Sequence, residues 1–401
     1  MECLVRNFVL LMLLGMTSGC STLPPRHPVP VDQMYHAQIL PGVPAVRAWG
    51  GTFSKQFGAD LVESVHQEKR AAIQKDAAGL PGTSILTLSG GADYGAFGAG
   101  FMNGWTRSAT RPSFKLVTGI STGALIAPFA FLGPEYDGVL KKAYTTISAE
   151  DIYQERGLSA LWSDSLADSA PLARLIAKYI DQDILLATAQ AHRQGRRLYI
   201  GTTHLDADRL VVWNMGAIAN SGHPKALELF RKVILASSSV PIAFPPVFIE
   251  VKVGGVSYDE MHADGGLKAQ LFLTAVSIDT EEIKRQLGLQ ETSGPRTKLF
   301  VIRNAVVGPE PKQVPRKLTE ISERTVTSFI KSQARRDLVR LYTFAHEQGF
   351  DFNWVSLPNE YIPPEVEPFD TAEMNRLFNI GYEMGLKGNV WRKVPPKIGQ
   401  H

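Results

Sequence analysis

The chain has 401 residues, of which 42 are lysine or arginine and 39 are aspartate or glutamate, giving a net charge of +3. A composition of 44% hydrophobic and 20% charged residues is that of a globular protein with a large core. The balanced charge, without runs of one sign, argues against a polyelectrolyte partner, so no nucleic-acid binding is expected. Composition leaves the oligomeric state open.

The N-terminus resembles a bacterial lipoprotein signal peptide. Arg6 precedes an apolar stretch over residues 8–16, which is too short to span a bilayer and is followed by small residues up to Cys20. The run TSGC resembles a lipobox, in which the cysteine is lipidated after cleavage, although Thr17 stands where leucine is usual. Residues 1–19 are therefore predicted to be a signal peptide.

The cysteine count agrees with lipidation of Cys20. The chain contains two cysteines, Cys3 and Cys20, so removal of the signal leaves one thiol and no disulfide in the mature chain. In lipoproteins that this N-terminus resembles, a serine such as Ser21 favours outer-membrane sorting. We expect a membrane-anchored protein that faces the periplasm; an uncleaved apolar N-terminus with an incidental cysteine is the alternative.

The remaining chain divides into a spacer and one domain. Residues 20–50 are proline-rich and aperiodic, which predicts a tether rather than a fold element. Residues 53–77 carry a helical pattern, and no repeat or second linker follows. Residues 51–395 are therefore predicted to form one globular domain.

Short apolar runs alternate with amphipathic stretches along this domain. The predicted strands cover residues 83–89, 113–119, 196–203, 209–215, 245–251 and 297–305. The predicted helices cover residues 95–106, 122–133, 171–194, 223–236, 268–289, 315–348 and 370–388. Alternation of this kind favours an α/β fold with a mostly parallel central sheet covered by helices on both faces, and extra helices at the C-terminal side.

A glycine-rich turn follows the first of these strands. The stretch ILTLSGGADYGAFGAG, residues 85–100, contains five glycines within eleven residues. Glycines at a strand-to-helix turn allow positive φ or a close approach of the backbone to another group. That group could be a nucleotide phosphate, the oxyanion of an acyl transfer, or a tightly packed neighbour.

The stretch GISTG, residues 119–123, contains a candidate nucleophile. Ser121 falls on a predicted strand–turn–helix junction, where a serine is held in a strained conformation with its hydroxyl exposed. Gly119 and Gly123 leave room for the sharp turn and for close helix packing. A simple tight turn capped by Ser121 would have the same sequence.

A serine nucleophile needs a base. None of the nine histidines, among them His204, His262 and His346, lies in a setting that marks it as one. Asp264 is followed by two glycines, which allow its carboxylate to approach another loop. Asp264 could equally be a turn residue or the N-cap of a helix that begins at Leu267.

The ordered set SGGADYGAFGAG, GISTG and DGG resembles the patatin-like phospholipase family, as does VILASSSVPIAFPPV at residues 233–247. The resemblance covers residues 83–270 and implies a three-layer α/β/α fold. It also implies a Ser121–Asp264 dyad without histidine, followed by the motif glycines Gly265 and Gly266. Lipid or phospholipid would be the substrate, and neither a cofactor nor a metal is implied.

The resemblance further implies that backbone N–H groups at Gly90, Gly91 and Ala92 bind the oxyanion. Two residues depart from the family pattern: Ala92 replaces a third glycine, and Tyr94 stands where a basic residue is common. Ala92 can still donate its N–H if its φ is negative. These departures keep open a catalytically weak or non-enzymatic envelope lipoprotein of the same fold.

Two other enzyme classes are considered. A dinucleotide site would require G-x-G-x-x-G and an acidic residue about 20 positions later, and neither occurs here. A histidine-triad hydrolase remains an alternative, and it predicts activity that is lost as pH falls through about 6.5. An aspartate base should retain activity at lower pH.

Overall fold

The structure is a computed structural model that describes residues 23–74, 82–157, 163–273, 285, 296–308 and 311–396. Its helices are α1 (Lys55–Gln74), α2 (Gly95–Arg107), α3 (Thr122–Leu132), α4 (Asp137–Thr145), α5 (Ala170–Tyr179), α6 (Gln182–Arg193), α7 (Met215–Asn220), α8 (Ala226–Ser237), α9 (Leu318–Glu347) and α10 (Thr371–Lys387). Its strands are β1 (Arg47–Trp49), β2 (Ser84–Leu88), β3 (Leu116–Gly119), β4 (Gln154–Glu155), β5 (Ala167–Asp168), β6 (Arg197–His204), β7 (Arg209–Asn214), β8 (Val247–Val253), β9 (Val256–Asp264), β10 (Lys298–Arg303) and β11 (Asp351–Ser356).

The main sheet has the strand order β1-β7-β6-β3-β2-β10-β11, and the hairpin β8–β9 joins it through β6. The strands β6, β3, β2, β10 and β11 run parallel to one another. The strands β1 and β7 and the hairpin are antiparallel additions at one side. The prediction of a mostly parallel central sheet is confirmed.

Alternate residues of the central strands face opposite layers of helices. Leu86 and Leu88 of β2 pack in a core with Phe97 of α2, whereas Ile85 packs with Leu338 of α9. This period of two buries both faces of the sheet, as a parallel sheet requires. The result is the predicted α/β/α sandwich, with the C-terminal helices α9 and α10 on opposite faces.

Helices α2 and α10 approach each other through glycines. A Cβ atom on Gly100 or Gly104 would collide with a backbone carbonyl of α10, and one on Gly381 or Gly385 would collide with a carbonyl of α2. The missing side chains therefore let the two helix backbones come into contact. Part of the glycine-rich stretch after β2 thus serves helix packing.

Residues 23–50, the N-terminal segment, differ from the predicted tether. β1 pairs with β7, and the side chains of Val29 and Met34 are buried against Val251 of β8. The apolar residues between the prolines have no regular period, but Val29, Met34 and Leu40 among them are buried. The tether prediction is therefore wrong for residues 23–50. The predicted signal peptide and Cys20 lie outside the described residues.

Charged contacts fix the N-terminal segment to the hairpin β8–β9. Arg26 binds Asp206 at 2.7 Å and Asp259 at 3.0 Å. Arg47 donates to both carboxylate oxygens of Glu260, one of them at 2.9 Å, and the Glu260 side chain is fully buried. A buried carboxylate of this kind depends on its cationic partner.

Five strands were not predicted: β1, the two-residue strands β4 and β5, β9 and β11. β9 carries the polar residues Glu260 and His262, which are fully buried and contact each other at 3.3 Å. β11 follows the long helix α9 directly and was absent from the predicted elements. Among the described helices, none is both long enough and apolar enough to span a bilayer.

The Arg47–Glu260 pair gives a stability prediction. The substitution Arg47→Met should lower the free energy of unfolding by about 3–5 kcal/mol, because it leaves the Glu260 carboxylate buried without its cation. Urea denaturation at pH 7 measures the loss. Arg70→Met is the matched control, since Arg70 pairs with Glu63 on the surface, and it should cost less than about 1 kcal/mol. Equal losses for the two variants would contradict the prediction.

Candidate active site

Ser121 lies on the turn between β3 and α3. Its backbone has φ +53° and ψ −125°, a sparsely populated conformation that costs a non-glycine residue about 1–3 kcal/mol. A Cβ atom on Gly119 would collide with the carbonyl of Gly123, and one on Gly123 with the carbonyl of Leu88. The two glycines therefore permit the turn that holds Ser121, whose residue is only 7% exposed.

Asp264 lies at the end of β9 and is almost completely buried. Its Oδ1 accepts a hydrogen bond from the Gly266 N–H at 2.6 Å, so Asp264 caps the short 3₁₀ helix Gly265–Leu267. Its Oδ2 has no conventional hydrogen-bond partner among the described residues. The Ser121 side chain nevertheless lies close enough to lower the pKa of the Asp264 carboxyl group. One oxygen thus serves the turn, and the other remains for chemistry.

Strand β6 brings these two residues together. Its first half pairs with β3, up to the partners Gly119 and Ile200, and its second half pairs with β9, from the partners Thr202 and Asp264. β3 runs parallel to β6 and β9 antiparallel, so the ends of β3 and β9 point at each other along one edge. Ser121, two residues after β3, therefore meets Asp264.

Serines at the end of α8 bind the two segments that carry Ser121 and Asp264. The Ser121 N–H donates to Ser237 Oγ at 3.0 Å, and Ser237 Oγ donates to the Gly201 carbonyl at 2.7 Å. The Asp264 N–H donates to the Ser239 carbonyl at 2.8 Å. The segment of residues 233–247 therefore fixes the nucleophile turn and the aspartate strand relative to each other.

The helix predicted to begin at Leu267 does not form at its start. After the 3₁₀ turn, residues 268–273 are irregular, and the later part of the predicted range lies largely outside the described residues. The N–H groups of Gln270 and Leu271 donate to the Asp337 carboxylate of α9, at 2.7 and 3.2 Å. The Asp337 carboxylate therefore accepts the hydrogen bonds that backbone carbonyls of the preceding turn would accept in a helix.

Residues 89–92, the glycine turn, lie against Ser121. A Cβ atom on Gly90 would come within 3.1 Å of Ser121 Cβ, so a side chain there would crowd the nucleophile. Gly91 has φ +157°, and a Cβ atom on it would collide with the Asn304 carbonyl. The backbone of the turn therefore lies next to the nucleophile, which is where a loop that binds the oxyanion has to be.

Ala92 and Tyr94, the two departures from the family pattern, have distinct surroundings. Ala92 has φ +49°, so the negative φ assumed for its N–H donation is not present. The Tyr94 ring packs edge-on against Tyr361, with ring centroids 5.9 Å apart. Between them, burial raises the pKa of Asp93, which accepts a hydrogen bond from the Phe369 N–H at 3.5 Å.

Burial raises the pKa of Asp264 from its ordinary value of 3.8 to about 7. The contacts with Ser121 and with the Gly266 N–H lower it, but less than burial raises it. A base with this pKa is half protonated at neutral pH. A raised pKa of this size moves the expected loss of activity of an aspartate base from low pH to about pH 7.

An apolar pocket opens beside Ser121. Its volume is about 850 Å³ including the mouth, and Ala92 and Ser121 lie at its edge. The walls are aliphatic and aromatic side chains from several helices and loops, including Leu125, Phe129, Leu172, Ile176, Ile234 and Phe244. A pocket with such apolar walls fits an apolar ligand with its polar group at Ser121.

Histidines lie near the site but do not reach Ser121: among the described residues, its hydrogen-bond partners include no histidine. His262 contacts Thr202 Oγ1 at 3.0 Å and Glu260 at 3.3 Å, and burial lowers its pKa to about 4. His204, Glu260 and His262 approach one another closely enough to hold a metal. However, Arg47 already binds both Glu260 oxygens, so the cluster is a buried charge network.

The sequence reasoning missed polar residues that surround the glycine turn. Arg303 and Asn304 follow the apolar part of β10, and Gln270 follows the Asp-Gly-Gly turn; all three are at most 4% exposed. Ligand sites of parallel sheets lie at the carboxyl ends of strands. Polar residues directly after an apolar strand were thus the available signal.

Comparisons with known proteins point to one family. A model of the family described as patatin-like phospholipase matches residues 86–276, and no curated protein matches the chain. The crystal structure of VipD from Legionella pneumophila has 10% identity and a TM-score of 0.36, covering 77% of this chain and 67% of that one. The type III effector protein ExoU has 13% identity and a TM-score of 0.21, covering 77% of this chain and 53% of that one. Both scores are low, so the family match is the informative comparison.

Ala92 gives a prediction about strain. Ala92→Gly should raise the free energy of unfolding by about 1 kcal/mol, because glycine adopts a positive φ without a steric cost. Thermal or urea unfolding measures the gain. Ala99→Gly, a buried change within α2, should instead lose about 1 kcal/mol or more. A loss for Ala92→Gly would show that its backbone is not strained.

Asp264 gives a prediction about pH. The carboxyl ionises near pH 4 in the unfolded chain and near 7 in the folded protein, so stability should fall as pH rises between these values. Asp264→Asn removes this cost and should stabilise the protein by roughly 2–4 kcal/mol at pH 8, with little effect at pH 4. Denaturation at both pH values measures the difference. Equal effects at the two pH values would contradict it.

Proposed function

We propose that the chain hydrolyses acyl esters of lipids with Ser121 and Asp264, on the basis of the match between residues 86–276 and a model of the patatin-like phospholipase family. The family is one of lipid acyl hydrolases. The observation that carries the proposal is the contact between a strained, buried serine and a buried aspartate at the end of an apolar pocket.

In the proposed reaction, the Ser121 Oγ attacks the ester carbonyl carbon while Asp264 Oδ2 accepts the hydroxyl proton. The tetrahedral intermediate then expels the alcohol, which takes the proton from Asp264, and the acyl group remains on Ser121. Water attacks the acyl-enzyme with Asp264 again as base. The fatty acid leaves, the proton returns to Ser121, and the site is restored.

The glycine turn is proposed to bind the oxyanion. The N–H groups of Gly90, Gly91 and Ala92 belong to the loop that lies against Ser121, and α3 begins directly after the nucleophile. Removing one oxyanion-hole donor typically costs about 2.7–4 kcal/mol of transition-state stabilisation. The positive φ of Ala92 changes the direction of its peptide, so Gly91 is the more important donor in this proposal.

The pocket supports lipid esters as the substrate class. Its walls are almost entirely apolar, and Ser121, Thr122, Tyr144 and Ser238 supply polar atoms at one side. An acyl chain in the pocket would lose contact with water and place its ester at Ser121. We propose a phospholipid or lysophospholipid as the substrate.

The lipoprotein-like N-terminus supports a location for this reaction. We propose that lipidation of Cys20 anchors the protein to the outer membrane, with the domain facing the periplasm. Stable anchoring by acyl chains requires more than one chain or a second membrane contact. The substrate would then be a lipid of the membrane to which the protein is attached.

The purified full-length chain in detergent tests the proposal with a chromogenic ester, a phospholipid and a fluorophosphonate probe. Ser121→Ala should abolish turnover and labelling, and Asp264→Asn should lower turnover at least about 10³-fold. Wild-type activity should fall as pH drops through about 7, since Asp264 must be ionised. Ser165→Ala, at a buried serine bound to the Ala167 carbonyl, should keep both activities.

Other outcomes would select the alternatives. Loss of activity on replacing one histidine, with Asp264→Asn still active, would favour a histidine-triad hydrolase. A wild-type protein that is inert on every ester and takes no label would favour the non-enzymatic envelope lipoprotein.

A further inference from the structure

A buried arginine contacts the glycine turn from behind. Arg303, at the end of β10, is 4% exposed. Its Nη1 donates to the Gly90 carbonyl at 3.2 Å, to Ser89 Oγ at 3.2 Å and to Gln270 Oε1 at 3.1 Å. The next residue, Asn304, donates from its side chain to the Ser89 carbonyl at 2.7 Å. The end of β10 thus binds the turn at successive carbonyls.

The bond to Gly90 bears on the orientation of one peptide unit. In a trans peptide the C=O of one residue and the N–H of the next point in opposite directions. With the Gly90 carbonyl held by Arg303, the Gly91 N–H must point away from Arg303. The Gly90 carbonyl also accepts a hydrogen bond from the Ser89 hydroxyl at 2.7 Å, and Ser89 Oγ in turn accepts one from Arg303, so the arginine contacts this peptide both directly and through Ser89.

We propose that Arg303 is a positioning residue, which holds the Gly90–Gly91 peptide so that the Gly91 N–H is presented to the oxyanion. The inference rests on the proposed Ser121 chemistry. Hydrogen bonds from a charged donor are about twice as strong as neutral ones. A buried guanidinium is also costly unless its contacts are made, so it fixes the geometry of the carbonyls that receive it.

Gln270 extends this support to the aspartate turn. A Cβ atom on Gly90 would come within 2.9 Å of Gln270 Oε1, and one on Gly266 would collide with Gln270 Nε2. The Gln270 side chain therefore lies between the glycine turn and the Asp-Gly-Gly turn. Its backbone N–H is held by Asp337 of α9 at 2.7 Å. Arg303 thus orients the donor loop relative to the loop that carries the base.

Arg303 and Asp337 lie outside residues 86–276, the span matched by the family model. The oxyanion-binding turn of this chain is therefore held by side chains from β10 and α9, beyond the matched region. Two variants remove the guanidinium: Arg303→Met keeps most of the buried volume, and Arg303→Gln keeps a short polar side chain. Arg303→Lys retains a cation and one possible contact to Gly90.

Arg196→Gln is the matched control. Arg196 also donates to backbone carbonyls, those of Phe114 and Phe131. Phe114 precedes β3 and Phe131 lies in the last turn of α3, so neither carbonyl belongs to the glycine turn. Labelling by a fluorophosphonate probe is measured over a range of probe concentrations. This separates the maximal labelling rate from the concentration that gives half of it.

Arg303→Met should lower the maximal labelling rate at least about tenfold, because an oxyanion donor is misaligned, and should change the half-saturating concentration less than twofold. Arg303→Lys should recover part of the rate, and Arg196→Gln should keep it. If Arg303→Met does not fold, Arg303→Gln is judged by the same criterion. A wild-type rate in the folded variant would overturn the proposal.

Hydrogen exchange provides a readout that does not depend on activity. Amides of residues 86–97 should exchange at least about tenfold faster in Arg303→Met than in wild type, but not in Arg196→Gln. Unchanged exchange would overturn the proposed positioning role, whatever the labelling result. If the wild-type protein takes no label, the proposed function fails, while exchange still decides whether Arg303 orders the turn.

Discussion

Strand β6 extends past the end of its parallel neighbour β3, and this difference in length organises the site. The edge that β3 leaves unpaired is taken by β9, which arrives from the opposite direction. Two chain segments that are about 140 residues apart in sequence therefore end facing each other, roughly one residue apart along β6. Strand register fixes the position of each residue along the edge of β6. A loop alone would hold the two side chains in contact less precisely. The parallel core and the antiparallel hairpin are both required.

The site contains several energetically unfavourable features that the surrounding structure holds in place. Ser121 and Ala92 have positive φ, and Asp264 is buried with a raised pKa. Hydrogen bonds accepted by Ser237 and Ser239, and one donated from the end of β10, hold these unfavourable conformations in place. Such strain is typical of functional sites and is retained only where the scaffold over-determines the local geometry. The raised pKa also makes the carboxyl a stronger base, so burial of Asp264 costs stability and favours proton transfer together.

Local sequence signals gave the parallel core and the turns that carry the motif residues. The pattern around β2 and α2 and the GISTG turn were readable, because glycine and strand periodicity are short-range features. The contacts of Arg303 and Asp337 were not readable, since no local pattern links them to residue 90 or 270. Burial of the N-terminal segment was missed for a related reason: its apolar residues match spaces on β8 and lack a period. The pKa of Asp264 depends on desolvation by neighbours that only the folded chain assembles.

Under the proposed lipidation of Cys20, docking of the N-terminal segment would limit how far the domain can move from the membrane. The first described ion pairs to the domain are made by Arg26, only six residues after Cys20. A fully extended chain covers at most about 3.6 Å per residue, so this leash measures roughly 20 Å. A spacer of the whole stretch to residue 50 would have reached about 100 Å. With so short a link, an anchored domain could not turn freely, and the pocket mouth would meet the bilayer surface at a restricted set of angles.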